Sequence, residues 1–400
     1  MTTDHTSEQK DQTMTTEPDD RTDGTPAFDG RPFLEASSTA KSRYGRFNLA
    51  IIGGSGVGKS SLVNAVFRRD WAKVGKGLPV TAGLRYYHDD SLGIWDVEGF
   101  EIGSSVPPAD QLKAHLKTIS DQPANQQISV VWYCVNSSAD RLLPAEIEMI
   151  RALDAQGVPV ILVLTKVDWL KNPMGKRDIA EDLKGFVAWL QDPVDHNGVP
   201  LSIPYERVIL TSTRDRQGKG KGHGLGELVS ATLALSPADE KDAFRIAQRL
   251  NLPWKREMAR PVITTAAAAA AGAAAVPIPI ADAVALAPIQ LAMMGRIATI
   301  YDLELKTMMS AVALAQVGVQ ITGQALARSF IKLIPGAGSA IGATVAFALT
   351  AATGEAWMRL CEQVHTGKID AAKISDSWRD YAPGFLDVVR QMAERRVTKH

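Results

Sequence analysis

The run Gly53-Gly54-Ser55-Gly56-Val57-Gly58-Lys59-Ser60 fits the pattern G-x-x-x-x-G-K-[ST] at every position and constrains the chain more than any other stretch. An apolar, strand-like segment, Phe47 to Ile52, precedes it, and the apolar residues of Ser61 to Phe67 behind it fall at helical spacing. Strand, glycine loop and helix is the context in which such a loop wraps phosphate. Glycines let successive backbone N–H groups curl round phosphate oxygens, and the N-terminus of the next helix adds the positive end of its dipole. The candidate phosphate contacts are Gly53, Gly54, Ser55, Gly56, Val57, Gly58, Lys59, Ser60 and Ser61. Lys59 is placed to reach the β- and γ-phosphates, and Ser60 to give its hydroxyl to Mg2+, which takes oxygen ligands.

Further signals follow in order. The Lys- and Gly-rich segment from Trp71 reads as a loop ending at Thr81, whose hydroxyl is expected on Mg2+ and whose N–H is expected near the γ-phosphate. Asp96-Val97-Glu98-Gly99 is a D-x-x-G at the end of the apolar strand that begins at Leu92, with Asp96 37 residues past Lys59. Asp96 can hold Mg2+ through water, and the Gly99 N–H can meet the γ-phosphate. Catalysis is thus assigned to Lys59, Thr81 and Gly99, and the metal to Ser60, Thr81 and Asp96.

Two buried strands, Ile128 to Asn136 and Val158 to Leu164, lead to Thr165-Lys166-Val167-Asp168. A carboxylate at Asp168 accepts hydrogen bonds from guanine's ring N–H and exocyclic amine. Adenine lacks that pair of donors, and a site built to hydrogen-bond a group rejects the analogue without it. Lys166 is expected to lie along the base with its aliphatic stem. A last strand, Tyr205 to Leu210, runs into Thr211-Ser212-Thr213, the place for a short turn that touches the base. Gln217 to Gly224 reads as a flexible loop whose Lys219, Lys221 and His223 either meet phosphate or are simply solvated.

Strands alternating with helices over 47–235 imply an α/β domain with a mostly parallel sheet, helices on both faces, and ligand at the strand carboxyl ends. Together the loop, Thr81, D-V-E-G, T-K-V-D and T-S-T resemble a translation-factor-class P-loop GTPase domain, nearest to Era-like and septin- or dynamin-type members. That resemblance implies binding of GTP and GDP with Mg2+ and hydrolysis of GTP. Two departures bear on turnover. Phe100 stands where such domains commonly have a glutamine that orients the attacking water, and Gly56 where some hold potassium with an asparagine. Slow intrinsic hydrolysis is the expectation, with the missing group supplied by a switch loop, a second protomer or a partner.

The second half reads as all-α. A basic linker, 236–259, precedes three charge-free runs: Pro261 to Ala281 and Thr307 to Ala327 with 21 residues each, and Leu333 to Gly354 with 22. Each is long enough to span a membrane. Prolines interrupt the first, and Gln316, Gln320 and Gln324 put a polar stripe on the second. The third carries Gly338-x-x-x-Gly342, which permits close helix contact in a membrane or in a buried bundle. Both readings stay open. The prolines of 277–288, Arg296-Ile297-Ala298 and Leu333-Ile334-Pro335-Gly336-Ala337-Gly338 resemble a YcjF-type helical domain of unknown function, which implies association with a membrane. Asp282 reads as a helix cap.

The expected domains are an acidic disordered tail and loose connector, 1–44; a G domain, 45–235; the linker helix; an Ala- and Gly-rich helical domain, 260–370; and a C-terminal helix, 371–400. The tail has eight acidic residues in its first 30 against Lys10 and Arg21. Cys134 and Cys361 are too few and too far apart for a disulfide framework, and no secretory signal opens the chain, so a cytoplasmic protein, with or without contact to the inner membrane face, is expected. Zero net charge is uninformative about nucleic acid, but no RNA-binding module or strongly basic domain is seen, which disfavours nucleic acid and ranks a ribosome- or RNA-assembly GTPase last. A homodimer through the G domain, as in a septin-like assembly protein with little turnover, is the first alternative.

Overall fold

The computed structural model describes residues 29–67, 78–97, 106–139, 141–171, 174–175, 177–214, 222–275, 282–303, 308, 338–370 and 373. The G domain holds strands β1 (Phe47–Ile52), β2 (Leu78–Thr81), β3 (Leu84–His88), β4 (Leu92–Val97), β5 (Val130–Asn136), β6 (Val160–Thr165) and β9 (Arg207–Leu210) in one sheet, ordered β2-β3-β4-β1-β5-β6-β9. From β4 to β9 neighbouring strands run parallel, while β2 and β3 add an antiparallel edge. A separate two-stranded hairpin joins β7 (Leu170–Lys171) to β8 (Arg177–Asp178).

Strand residues alternate between two cores, which is why the sequence shows unbroken apolar runs where a one-sided sheet would alternate. On β1, Ala50 and Ile52 face one core while Phe47, Leu49 and Ile51 face the other. The first core is closed by α3 (Pro108–Ser120), α4 (Pro144–Asp154) and α5 (Glu181–Gln191). The second is closed by α2 (Lys59–Val66), α6 (Leu225–Leu235) and α7 (Lys241–Ala247). Both cysteines are buried, and burial pushes each thiol pKa upward, as expected of inert side chains.

A third core belongs to a helical bundle of α1 (Arg31–Tyr44), α8 (Leu252–Ala274), α9 (Asp282–Ile300) and α10 (Gly338–His365). Here the sequence expectation needs correction. Residues 31–44 are no loose connector but helix α1, with Phe33, Ala36, Ser37 and Ala40 buried and the helix packed along α9. Their four- and three-residue spacing lays one face on the bundle, a pattern hidden by the surrounding Ser and Thr. In sequence the G domain is therefore inserted between α1 and the other bundle helices, while in space α1 belongs to the bundle.

The expected boundary at residue 260 also falls inside a helix, since α8 runs unbroken through Pro261. Lys255, Ala259, Ile263, Ala267 and Ala270 bury one face of α8, while Thr264, Thr265, Ala268 and Ala269 are exposed. Gly342 of α10 faces α8: a Cβ there would meet the Ala274 carbonyl oxygen at 3.5 Å, an ordinary contact. Among the described residues no helix is long and apolar enough to cross a membrane. Apart from Met308, the run Thr307–Ala327 lies outside the described residues, as do residues 1–28, 276–281 and 374–400 and the side chain of Asp282.

Lys255 is the buried cation of the junction. Its fully buried ammonium donates to the carbonyls of Ile246, near the end of α7, and Ile300, the last residue of α9, the latter at 3.0 Å. Two helix C-termini with negative dipole ends thus share one cation. Lys255→Met keeps the stem but strands both carbonyls, and at about 1–3 kcal/mol for each buried group left unsatisfied it is expected to destabilise the chain by roughly 2–6 kcal/mol. Urea unfolding of the full chain measures it.

Candidate nucleotide site

β1 delivers the glycine loop to the carboxyl edge of the sheet, between β4 and β5, and α2 leaves it from Lys59. Gly53 is there for steric reasons. Its φ is +147°, and a Cβ would lie 2.3 Å from the Cys134 carbonyl oxygen of β5. Gly53→Ala is therefore expected to destabilise the fold by at least ~2 kcal/mol and to weaken nucleotide binding, read by thermal unfolding and titration. Ser55, Gly56, Ser60 and Ser61 are exposed along the loop and the first turn of α2. The Lys59 ammonium folds back onto the loop, 2.8 Å from the Gly53 oxygen and 3.4 Å from that of Gly54.

The T-K-V-D segment is joined to this loop directly. The Thr165 hydroxyl donates to the Val57 carbonyl at 2.6 Å, with the Val135 carbonyl at 3.1 Å, and Lys166 Nζ donates to the Gly56 carbonyl at 2.6 Å. Lys166 holds the left-handed backbone conformation, φ +57°, uncommon outside glycine and frequent at functional turns. Its long side chain is thereby laid from the end of β6 to the glycine loop, and Asp168 is exposed two residues on. Thr165 is buried, so its hydroxyl positions the loop from within.

The turn after β9 divides. Thr211 is buried and its hydroxyl donates to the Leu164 carbonyl, while Ser212 and Thr213 are half-buried. Ser212 and His223 exchange both backbone hydrogen bonds, at 3.0 and 2.7 Å, and so close the neck of the glycine- and lysine-rich loop. Trp169 meets the His223 ring edge-on at 6.1 Å, a contact with no signature in sequence. Lys219 and Lys221 lie outside the described residues.

Asp96, on β4, is paired in register with Ile51 of β1 and is half-buried. Burial raises the Cys134 thiol to about 12, with the Lys59 charge pulling it down and the Asp96 charge pushing it up. Thr81 is exposed at the end of β2, its hydroxyl 3.5 Å from Nδ1 of His115 on α3, a neighbour sequence spacing did not suggest. Burial lowers the His115 pKa. Gly99 and Phe100 lie outside the described residues. The donors expected for the metal, the Ser60 and Thr81 hydroxyls and the Asp96 carboxylate, are all hard oxygens, which fit Mg2+ rather than a softer metal.

Residues 48–166 match the family described as 50S ribosome-binding GTPase, and residues 238–384 match the domain of unknown function DUF697. The probable GTP-binding protein EngB of Methanosarcina barkeri is 30% identical over 155 residues, covering 35% of this chain and 71% of that protein. Its namesake from Aquifex aeolicus is 25% identical over 185 residues, covering 46% of this chain and 89% of the relative. Among solved structures, the FeoB G-domain from Methanococcus jannaschii aligns at 18% identity over 48% of this chain and 98% of its own, with a TM-score of 0.25. With its glycine loop after β1, Asp96 on β4 and Thr165-Lys166 at the end of β6, all within the matched residues, the chain belongs to the P-loop GTPases, which bind GTP with Mg2+ and hydrolyse it, and its helical half carries the match to DUF697.

Proposed function

We propose that the chain is a slow GTPase switch whose output is the helical bundle, acting on a membrane surface or a protein partner. The observation that carries this reading is the pair of hydrogen bonds from Thr165 and Lys166 to the glycine loop, which supports a phosphate site and a guanine site built as one unit.

In this reading the loop N–H groups from Gly54 to Ser61 and the N-terminus of α2 hold the phosphates, and Lys59 exchanges its loop carbonyls for the β- and γ-phosphate oxygens. Asp168 accepts the two guanine donors, Lys166 covers the base with its stem, and Ser212 and Thr213 border it. Ser60, Thr81 and Asp96 hold Mg2+, which when bound neutralises charge on the β- and γ-phosphate oxygens. A water oxygen bonds to the γ-phosphorus while the bond to the β–γ bridging oxygen breaks, giving GDP and phosphate. Positioned charge supplies most of the catalysis of such a step. With Phe100 and Gly56 at two positions where relatives place water-orienting or cation-holding groups, the unaided rate is low.

A second reading, a ribosome-assembly GTPase, is favoured by the description of the matched family. Phosphate release from GTP by the full chain, measured alone, with anionic liposomes and with 50S particles, tests both. Slow turnover alone, accelerated at least ~10-fold by one addition, is expected, since an arginine supplied by a partner is worth about 10³–10⁵. Binding without release under all three conditions would sink the hydrolytic part. Sedimentation with GDP and GTP in the same series reads out G-domain dimers and liposome binding.

A further inference from the structure

The G domain and the bundle meet along a seam with two unlike halves. In one half α7 is welded to the sheet: Phe244 packs on Phe47 and Phe67 with ring centroids 4.8 and 6.3 Å apart, and Arg249 N–H donates to the Val66 carbonyl at the end of α2. The Glu240 carboxylate accepts the Ser129 hydroxyl, whose oxygen accepts the Asn48 N–H of β1 at 2.8 Å. Phe47, Phe67, Phe244, Asn48 and Ser129 are buried and Glu240 is half-buried, and the joint is stiff.

In the other half the contacts are few and partly wet. Lys41 of α1 pairs with Asp90 at 2.5 Å, with side-chain exposures of 33% and 63%, and Arg46 Nε donates to the Asp89 carbonyl at 2.8 Å. Asp89 and Asp90 form the turn between β3 and β4, fixed by Asp89 Oδ1 accepting the Ser91 and Leu92 N–H groups at 2.8 and 2.9 Å. The two strands pair without a break from Leu84↔Val97 to His88↔Gly93, so the hairpin moves as one ladder. Its far end lies at the candidate site: Thr81 precedes β3 by three residues and Asp96 lies on β4. Behind the turn, α1 is keyed into α9. The Ser37 and Thr299 hydroxyls are 2.6 Å apart, and Gly295 has no Cβ because one would lie 2.3 Å from the Phe33 carbonyl oxygen. A small cavity bordered by Lys41, Tyr44, Asp90, Thr299 and Asp302 leaves room at this joint.

We propose that the β3–β4 hairpin carries nucleotide state to the bundle by shifting against α1, with Lys41–Asp90 and Arg46–Asp89 as its latch. The inference rests on Thr81 and Asp96 closing on the nucleotide, as in the function proposed above. A stiff hairpin with one end at the metal-binding oxygens and the other on α1 converts a small shift at the site into one at the bundle. A part-exposed ion pair such as Lys41–Asp90 contributes little to stability, and Arg46 adds a single hydrogen bond to the Asp89 backbone carbonyl, so the latch breaks and remakes at little cost, unlike the buried α7 joint.

Coupling between two sites is reciprocal: whatever the nucleotide does to the latch, fixing the latch does to nucleotide binding. The test is the full chain with Lys41→Cys and Asp90→Cys joined by a short bis-maleimide, the native Cys134 and Cys361 being buried. Affinities for GDP and for a non-hydrolysable GTP analogue are measured by fluorescence before and after joining, beside Lys41→Asp and the charge-swapped pair Lys41→Asp with Asp90→Lys. Joining is expected to change the ratio of the two affinities at least ~5-fold, and the swapped pair to restore the ratio that Lys41→Asp disturbs. A joined chain that binds both nucleotides at an unchanged ratio, or a Lys41→Asp chain with the wild-type ratio, overturns the latch. If the unjoined chain binds neither nucleotide, the GTPase reading beneath it falls as well.

Discussion

Lys59→Ala is expected to lower kcat/KM for GTP by roughly 10³-fold or more, the scale of losing one preorganised charge at a phosphoryl-transfer site. The ammonium sits on the exposed loop, held by the carbonyls of Gly53 and Gly54, and makes no part of either sheet core. Its loss removes a hydrogen bond to a part-buried carbonyl and should cost about 0.5–1.5 kcal/mol of stability, well below its effect on turnover. Single-turnover phosphate release and thermal unfolding on the same sample separate the two effects. A variant that turns over GTP at the wild-type rate would remove Lys59 from the reaction.

The second large effect concerns the base. Asp168→Asn turns an acceptor of two charge-assisted hydrogen bonds into a neutral amide, so guanine's ring N–H keeps only a neutral acceptor and its amine faces a donor. At about 1.5–3 kcal/mol for each charge-assisted bond, GTP affinity is expected to fall by roughly 10²- to 10⁴-fold. Xanthine carries a carbonyl where guanine carries the amine, and the asparagine amide can donate to it, so the variant should gain affinity for XTP. Asp168 is exposed, and the neighbouring Val167 N–H is already bonded to the Thr211 carbonyl, so the exchange leaves the local backbone in place. Competition titrations with GTP, XTP and ATP read the result. Equal loss for all three would assign Asp168 to stability instead of recognition.

Much of the G domain was legible in the sequence because its signals are local. The glycine loop, the strand before it and the helix after it lie within about twenty residues, and the apolar runs at Val130–Asn136 and Val160–Thr165 are the mark of strands buried on both faces. The order of motifs along the chain then assigned Asp96, Thr165, Lys166 and Asp168 to one edge of a sheet. What sequence could not supply was long-range. The amphipathic pattern of α1 is short and rich in Ser and Thr, and its partner Thr299 lies 262 residues from Ser37. Lys255 read as one basic residue among several in a linker, since only the meeting of α7 with the end of α9 makes it a buried cap. The alanine run of α8 had membrane length, yet its buried and exposed alanines alternate with the helix turn, and composition alone does not show which alanines face a neighbour. The hydrogen bond from Thr165 to Val57 was equally out of reach, because T-K-x-D is read through its aspartate while the threonine works from beneath.

The central claim is that a guanine-nucleotide site and the helical bundle form one switch. Its most direct measurement is hydrogen–deuterium exchange of the full chain with GDP and with a non-hydrolysable GTP analogue, both with Mg2+. Altered protection is predicted in the glycine loop, in the β3–β4 turn at Asp89–Ser91 and in α1, with the analogue and GDP giving different patterns. Protection confined to the glycine loop and T-K-V-D, with the turn and α1 identical in both nucleotides, would contradict it.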